Sequence, residues 1–297
     1  MVSKIKGYQE IQIPSPLTQT WLVYRENTLA MAGLWGMVFL VLVMMFGPSL
    51  VHFDPLQQNA DALLLPPSWS QSGTLQHFFG TDDLGRDLLS RLVYGARLTF
   101  GSAIFATLIA MLFGSLLGVL GGMTQGLKSS FLHHMLDMLL SIPSLLLAVV
   151  LVAVLGPGLD NAILAVTLTL LPQCIRAVYA AVNQELQKEY IIAVRLDGST
   201  PLRILRLAIL PNIVDTLVAQ TTRCLATAIL DISAICFLGI GAQSPLPEWG
   251  TMLADGMDLI YIGSWTVTLP GLAIAFSILA THLVGEGLRR ALQKGID

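Results

Sequence analysis

Charge is scarce in this chain. Asp, Glu, Lys and Arg make up 12% of its 297 residues, about half the share of an ordinary soluble domain, which excludes a water-soluble enzyme and a disordered chain. No basic excess stands in for them: the formal net charge is -3, so a phosphate-backbone partner is excluded, and nucleic acid with it. Cysteine is nearly missing. Cys174, Cys224 and Cys236 lie in apolar segments without metal or disulfide spacing; they read as small hydrophobes, and neither a disulfide nor a metal is expected. The phosphate-cradling G-x-x-x-x-G-K-[ST] loop is also absent. Its nearest approach, Gly121 to Gly126 followed by Leu127-Lys128-Ser129, inserts a residue before the lysine and does not follow a strand. No bound ATP or other cofactor is therefore expected on this chain. An intramembrane serine protease is excluded as well, since Ser233 and His282 could be nominated but no nucleophile motif surrounds either.

What is abundant is apolar sequence: 54% of the residues are hydrophobic and the mean hydropathy is +0.72. A chain of this kind is counted in membrane spans of roughly 20 residues, each crossing about 30 Å of hydrocarbon. The apolar runs predict an all-α membrane protein with six transmembrane helices, at about 29–51, 98–123, 138–159, 161–182, 212–240 and 259–285. Residues 1–28 then form a cytoplasmic tail rather than a cleaved signal, because the first apolar run starts late and is too long for a signal core. Residues 52–97 form an outer loop, 183–211 an inner loop and 286–297 a C-terminal tail. Basic loops stay in the cytoplasm. With the N-terminus inside, the inner segments hold Lys4, Lys6, Arg25, Lys128, Arg176, Lys188, Arg195, Arg203, Arg206, Arg289, Arg290 and Lys294, against Arg86, Arg91 and Arg97 outside. Both termini are therefore expected in the cytoplasm.

Within the spans, Ser102, Ala106, Ala110, Gly114, Gly118 and Gly122 recur every four residues and make one ridge of small side chains, either a packing seam or one that rocks. Pro143, Pro172 and Pro270 are candidate kinks. Asp137, Arg223 and Asp231 are the charges placed deepest in lipid, so each should face the bundle interior or a water-filled path. Arg223 and Asp231 are about 12 Å apart along a helix and within roughly 80° around it, sharing a face without pairing. They read as a register-fixing charge network or as an ion relay. His133, His134 and His282 fall at span ends and read as interfacial.

The inner loop carries the most information. Gln184 to Leu196 predicts a helix stopped at Asp197-Gly198, where glycine supplies the left-handed conformation. Ser199 or Thr200 then caps a second short helix opened by Pro201, with Leu202, Leu205 and Ile209 as its apolar stripe and Arg203 and Arg206 one turn apart. Such an element lies on a membrane surface or enters a groove on a partner. In the outer loop, Gly80, Thr81, Asp82, Asp83, Leu84, Gly85, Arg86 and Asp87 precede an apolar helical run. There Thr81 is expected to cap a helix with Asp82 and Asp83 in its first turn, as a structural elbow or as a contact for an external protein.

The inner loop resembles the signature of bacterial ABC-importer permeases, which in words is Glu-Ala-Ala, three residues, Gly, nine residues, Ile, any residue, Leu-Pro. Ala193, Gly198, Leu210 and Pro211 match it, while Ile192, Val194 and Ala208 depart from it. The outer motif, continuing to Ser90-Arg91 and Gly95-Ala96-Arg97, is similar to C-type permeases of dipeptide and oligopeptide importers. The stretches Leu64 to Ser70, Ser141 to Leu147 and Pro247 to Gly250 look closer still to the Sap-type peptide permeases. The resemblance implies a type I ABC importer permease fold with a peripheral first helix. It also implies Glu189, Ala193, Arg195, Asp197, Gly198, Arg203, Leu210 and Pro211 as an ATPase-coupling loop. Implied partners are a homologous second permease, two ABC ATPase subunits and a periplasmic substrate-binding protein. Peptides, antimicrobial ones included, and export of putrescine are both open as cargo. An ion-coupled secondary transporter and a non-transporting scaffold are the readings from other classes.

Overall fold

A computed structural model describes residues 15–124 and 127–296. The tail with Lys4 and Lys6, and the side chains of Lys128, His133 and Lys294, lie outside what is described. Among the described residues, regular structure is helical apart from one antiparallel bridge between Thr81 and Asp87. A surface helix α1 (Pro16–Glu26) ends at Asn27, whose side chain accepts hydrogen bonds from the Leu29 and Ala30 amides and so opens α2 (Thr28–Leu50). A long loop leads to α3 (Leu88–Met123), whose 36 residues span about 54 Å and project well beyond a bilayer core. After α4 (Leu127–Leu140) and α5 (Ser144–Leu155) comes α6 (Leu159–Leu186). Two short helices, α7 (Glu189–Leu196) and α8 (Pro201–Ile204), lead into α9 (Val214–Phe237); α10 (Trp249–Gly256) and α11 (Trp265–Ile296) complete the chain.

Helix α3 lies at the centre, packed on α2, α6 and α9, while α11 packs on α2 and α9. The small-residue ridge meets α6 as a packing seam. Gly114 abuts Cys174, and a Cβ at Gly118 or Gly122 would come within 2.7 Å of the Cβ of Val178 or 2.8 Å of that of Val182. Only glycine permits this approach. Phe100, Ala103, Ala110, Leu170, Ile229 and Ile232 fill the core around the seam.

The third expected span, 138–159, is not one straight helix. The chain bends by 85° between His134–Leu140 and Ser144–Leu155, because Pro143 has no amide to continue the ladder and instead opens α5. Helix α5, at 12 residues, rises about 18 Å and cannot cross a bilayer alone. The second span begins at Leu88 rather than 98, and the last at Trp265 rather than 259. Among the described residues, four helices could cross a membrane by length and composition, or five if the bent pair counts as one. Helix α9 has 24 residues but is diluted by Gln220, Arg223 and Asp231.

The bundle has two distinct ends. At one, buried Tyr24 packs against Ala30 and Ala291, so α1, the start of α2 and the end of α11 lie together. The same end carries α7 and α8, since Val182 near the close of α6 meets Gly122 near the close of α3. At the other end the loop after α2 meets the approach to α11, where Trp265 Nε1 donates to the Thr81 carbonyl at 3.0 Å. There too, the Gly158 amide before α6 donates to the Ile240 carbonyl after α9 at 3.1 Å.

Candidate functional site

At the first end, a helix-turn-helix stands on the ends of α6 and α9. Helix α7 stops where expected: Gly198 takes φ +79°, and the Gly198 and Ser199 amides donate to the Arg195 and Val194 carbonyls at 3.0 and 3.3 Å. A Cβ on Gly198 would meet nothing within 4 Å, so glycine is required by the backbone conformation rather than by space. Thr200, not Ser199, caps α8, its Oγ1 accepting from the Arg203 amide at 3.4 Å. A wide turn (Leu205–Ile209) and a tight one (Leu210–Ile213) then lead to α9, with Pro211 exposed at the junction.

The element is anchored by Ile191, Ile204, Ile209 and Ile213, all buried against Val178, Val182 and Leu186. This corrects the expected stripe. Ile209 is buried, but Ile204 takes the inner position while Leu202 is 73% exposed. A polar clasp adds to the anchor. The Tyr190 hydroxyl donates to the buried Glu185 carboxylate and accepts from Asn212 Nδ2 at 2.9 Å, and Lys188 Nζ sits 2.7 Å from Glu185. Burial first, and then the Glu185 carboxylate, push the Tyr190 hydroxyl up to about 12, so it stays a donor at physiological pH. Sequence reasoning missed this clasp because Glu185, Tyr190 and Asn212 converge only through the fold. Glu189, Ala193, Arg195, Asp197 and Arg203 are brought together on the outer surface instead. Leu196 and Leu202 are exposed on the same two helices, so apolar and charged side chains share the surface of this element.

At the opposite end the outer motif is a knot, and here the expected cap is corrected. Thr81 does not begin a helix: its hydroxyl donates to the Ala62 carbonyl at 2.5 Å and accepts from the Leu65 amide at 2.8 Å. Asp87 caps α3, accepting from the Ser90 amide at 2.8 Å while its other oxygen meets His77 Nδ1 at 3.0 Å. Asp82 accepts from the Arg86 amide at 2.9 Å and from Arg86 Nε at 2.6 Å. Gly80 and Gly85 supply the positive φ angles, +80° and +71°, that fold the segment back. Arg86 and Arg91 are both buried and approach Asp255 of α10 at 3.8 Å, tying the first outer loop to the last. Burial pushes the Asp255 carboxyl up, against the pull of Arg91 and Arg86. At the start of α10 Glu248, wholly buried, accepts from the Thr99 hydroxyl at 2.7 Å and the Thr251 amide at 2.9 Å. Burial raises its pKa, while those bonds oppose the shift.

The three intramembrane charges do not form one network. Asp137 is ion-paired with Arg176 of α6. Asp231 is buried near Ser144 at the start of α5, with its Oδ2 unpartnered among the described residues. Arg223 is exposed on the outer side of α9 rather than facing the bundle interior of this chain. Cys174 and Cys224, fifty positions apart, touch through their sulfurs at 3.2 Å. All three cysteines are free thiols.

Residues 114–297 match the family described as binding-protein-dependent transport system inner membrane component, and residues 15–67 match the N-terminal TM domain of oligopeptide transport permease C. The chain is 52% identical over 290 residues, 98% of each chain, to the peptide transport system permease protein SapC of Salmonella typhimurium. It is 44% identical to the di/tripeptide transport system permease protein DppC of Pseudomonas aeruginosa, over 94% of this chain and 92% of that one. To the dipeptide transport system permease protein DppC of Escherichia coli it is 42% identical, over 98% of each. Its fold is similar to that of a chain of the MetNI methionine ABC transporter in an inward-facing conformation, with TM-score 0.56 and 24% identity over 68% of this chain and 95% of that one. The fold is that of a type I ABC importer permease.

Proposed function

Because this chain belongs to the family of binding-protein-dependent transport system inner membrane components, we propose that it is the membrane-embedded permease subunit of an ATP-driven peptide transporter of the bacterial inner membrane. The names of its relatives support the peptide class. Energy comes from two separate ATPase subunits, a homologous second permease completes the path, and a periplasmic binding protein delivers the cargo. The chain itself is non-catalytic and holds no cofactor.

The observation that carries this reading is the outer surface of α7 and α8, where exposed Leu196 and Leu202 stand among exposed charged residues on an element anchored to the ends of two long helices. A face of that kind suits a cleft on a partner better than a membrane surface, because Glu189 and Asp197 stand among its basic residues. Closure of the ATPases would move the turn at Gly198 and tilt α6 and α9 together, opening the path alternately to each side. Six crossings, with both termini and the coupling element in the cytoplasm, agree with the basic residues of the inner loops and with the grouping of α1, α7, α8 and the end of α11 at one end. The core then runs through 98–285, and the knot of the outer loop faces the periplasm.

Gly198→Trp tests the reading. The first side-chain carbon would meet nothing within 4 Å among the described residues, so the site itself has room for a side chain and the bulk of the ring is directed at a docked partner. The expected result is ATP hydrolysis by the assembled complex with peptide flux near background. Gly198→Ala, which brings the backbone strain of about 1–2 kcal/mol without the bulk, should retain more flux. Normal transport by Gly198→Trp overturns the docking role.

A further inference from the structure

A polar opening between α9 and α11 is used by neither the coupling face nor the outer knot. We propose that it binds the anionic phosphodiester headgroup of a membrane phospholipid. The cavity measures about 240 Å³ and is lined by Ala219, Thr222, Arg223, His282, Glu286 and Arg289.

Its depth fits a headgroup. A Cβ on Gly285 would run into the Thr222 side chain, so Arg223 sits level with the last turns of α11. Trp265, at the start of α11, is a residue type that favours the membrane interface. Counted from there, Glu286 lies about 32 Å along the helix, just past a hydrocarbon core of about 30 Å. This placement holds whichever leaflet contains that end of the bundle.

Its charge also fits. Glu286 is already engaged, accepting from Arg289 Nε and Nη2 at 3.1 Å each and from Arg290 Nε at 2.6 Å. That carboxylate is shared between two guanidinium groups, and no ion pair joins it to Arg223 among the described residues. Among the described residues Arg223 has no ion pair and no side-chain hydrogen bond, although a cation at the edge of hydrocarbon needs a partner. Its planar fork matches two phosphate oxygens, and Thr222 and His282 offer further polar atoms. Basic pockets between spans are suited to anionic headgroups.

The surroundings distinguish a lipid from a soluble anion. Leu230, two turns from Arg223 on the same face of α9, is 54% exposed, and Leu279, one turn from His282 on α11, is 57% exposed. Both lie on the mid-membrane side of the opening along their helices, leaving apolar surface next to which acyl chains can lie.

The test is native mass spectrometry of the complete transporter titrated with phosphatidylglycerol and, separately, with phosphatidylcholine of the same chain length. Phosphatidylglycerol should bind with preference. Arg223→Gln should weaken it about tenfold, the loss of one charge-assisted hydrogen bond, with Arg223→Lys intermediate. Should Arg223→Gln fail to assemble, Ala219→Leu fills the cavity without removing charge and should lower occupancy in the same way. Equal binding of the two lipids, unchanged affinity in Arg223→Gln and Ala219→Leu, or displacement by millimolar inorganic phosphate would each overturn the proposal. So would release of the second permease by Arg223→Gln with lipid occupancy unaltered, which would make Arg223 a subunit contact.

Discussion

Tyr190 is a single residue that ties the proposed docking element to two long helices. Its hydroxyl joins Glu185 at the close of α6 to Asn212 at the approach to α9, so both helices feel any force on α7. Tyr190→Phe keeps the ring and removes the clasp, a local loss of about 1 kcal/mol. The expected outcome is normal assembly and ATP hydrolysis with fewer peptides moved per ATP, read by measuring both rates in proteoliposomes. Equal stoichiometry would make the clasp merely structural. At this scale the sequence was only partly legible. Gly198 and Pro201 announce their backbone roles through chemistry that hardly depends on context. Thr81 and Asp87 are both good caps, and the choice between them was made by Ala62 and Leu65, which claim the Thr81 hydroxyl from a distant part of the loop.

Elements owe their positions to close approaches and buried charge. The seam between α3 and α6 predicts that Gly118→Leu, whose first side-chain carbon would lie 2.7 Å from Val178 Cβ, separates the helices. A loss of about 3 kcal/mol or more should appear as a lowered melting temperature of the solubilised complex, whereas the outward-facing Leu116→Ala should change it little. The outer knot predicts a similar loss for Asp82→Asn. That change removes a carboxylate from two buried guanidinium groups, by about 3 kcal/mol, and should lower thermal stability while leaving ATPase docking intact. An unchanged melting temperature would contradict this account of how the outer loops are joined. The helical runs were legible because apolar length is a strong signal. The bend at Pro143 was less so, since a proline inside an apolar run is compatible with a gentle kink, as in α6 and α11, which continue through Pro172 and Pro270. Which intramembrane charges meet was not legible, because Asp137 finds Arg176 on another helix.

Over the whole molecule, the two ends of the bundle carry opposite tasks. One bears α1, the end of α11 and the face proposed for ATPase docking, while the other is closed by a charged knot and a buried glutamate. The helical architecture and the helix-turn-helix of the inner loop could be read from the sequence because they rest on composition and local spacing. The cargo could not, because no motif in the chain marks which residues would line a path for it.

The most direct test is ATP-dependent flux through the complete complex in proteoliposomes, with labelled peptide and labelled putrescine each followed in both directions. The account predicts that peptide moves from the binding-protein side toward the ATPase side and stops without ATP. Flux that persists without ATP and collapses with the proton gradient, or putrescine moving outward in place of peptide, would contradict it.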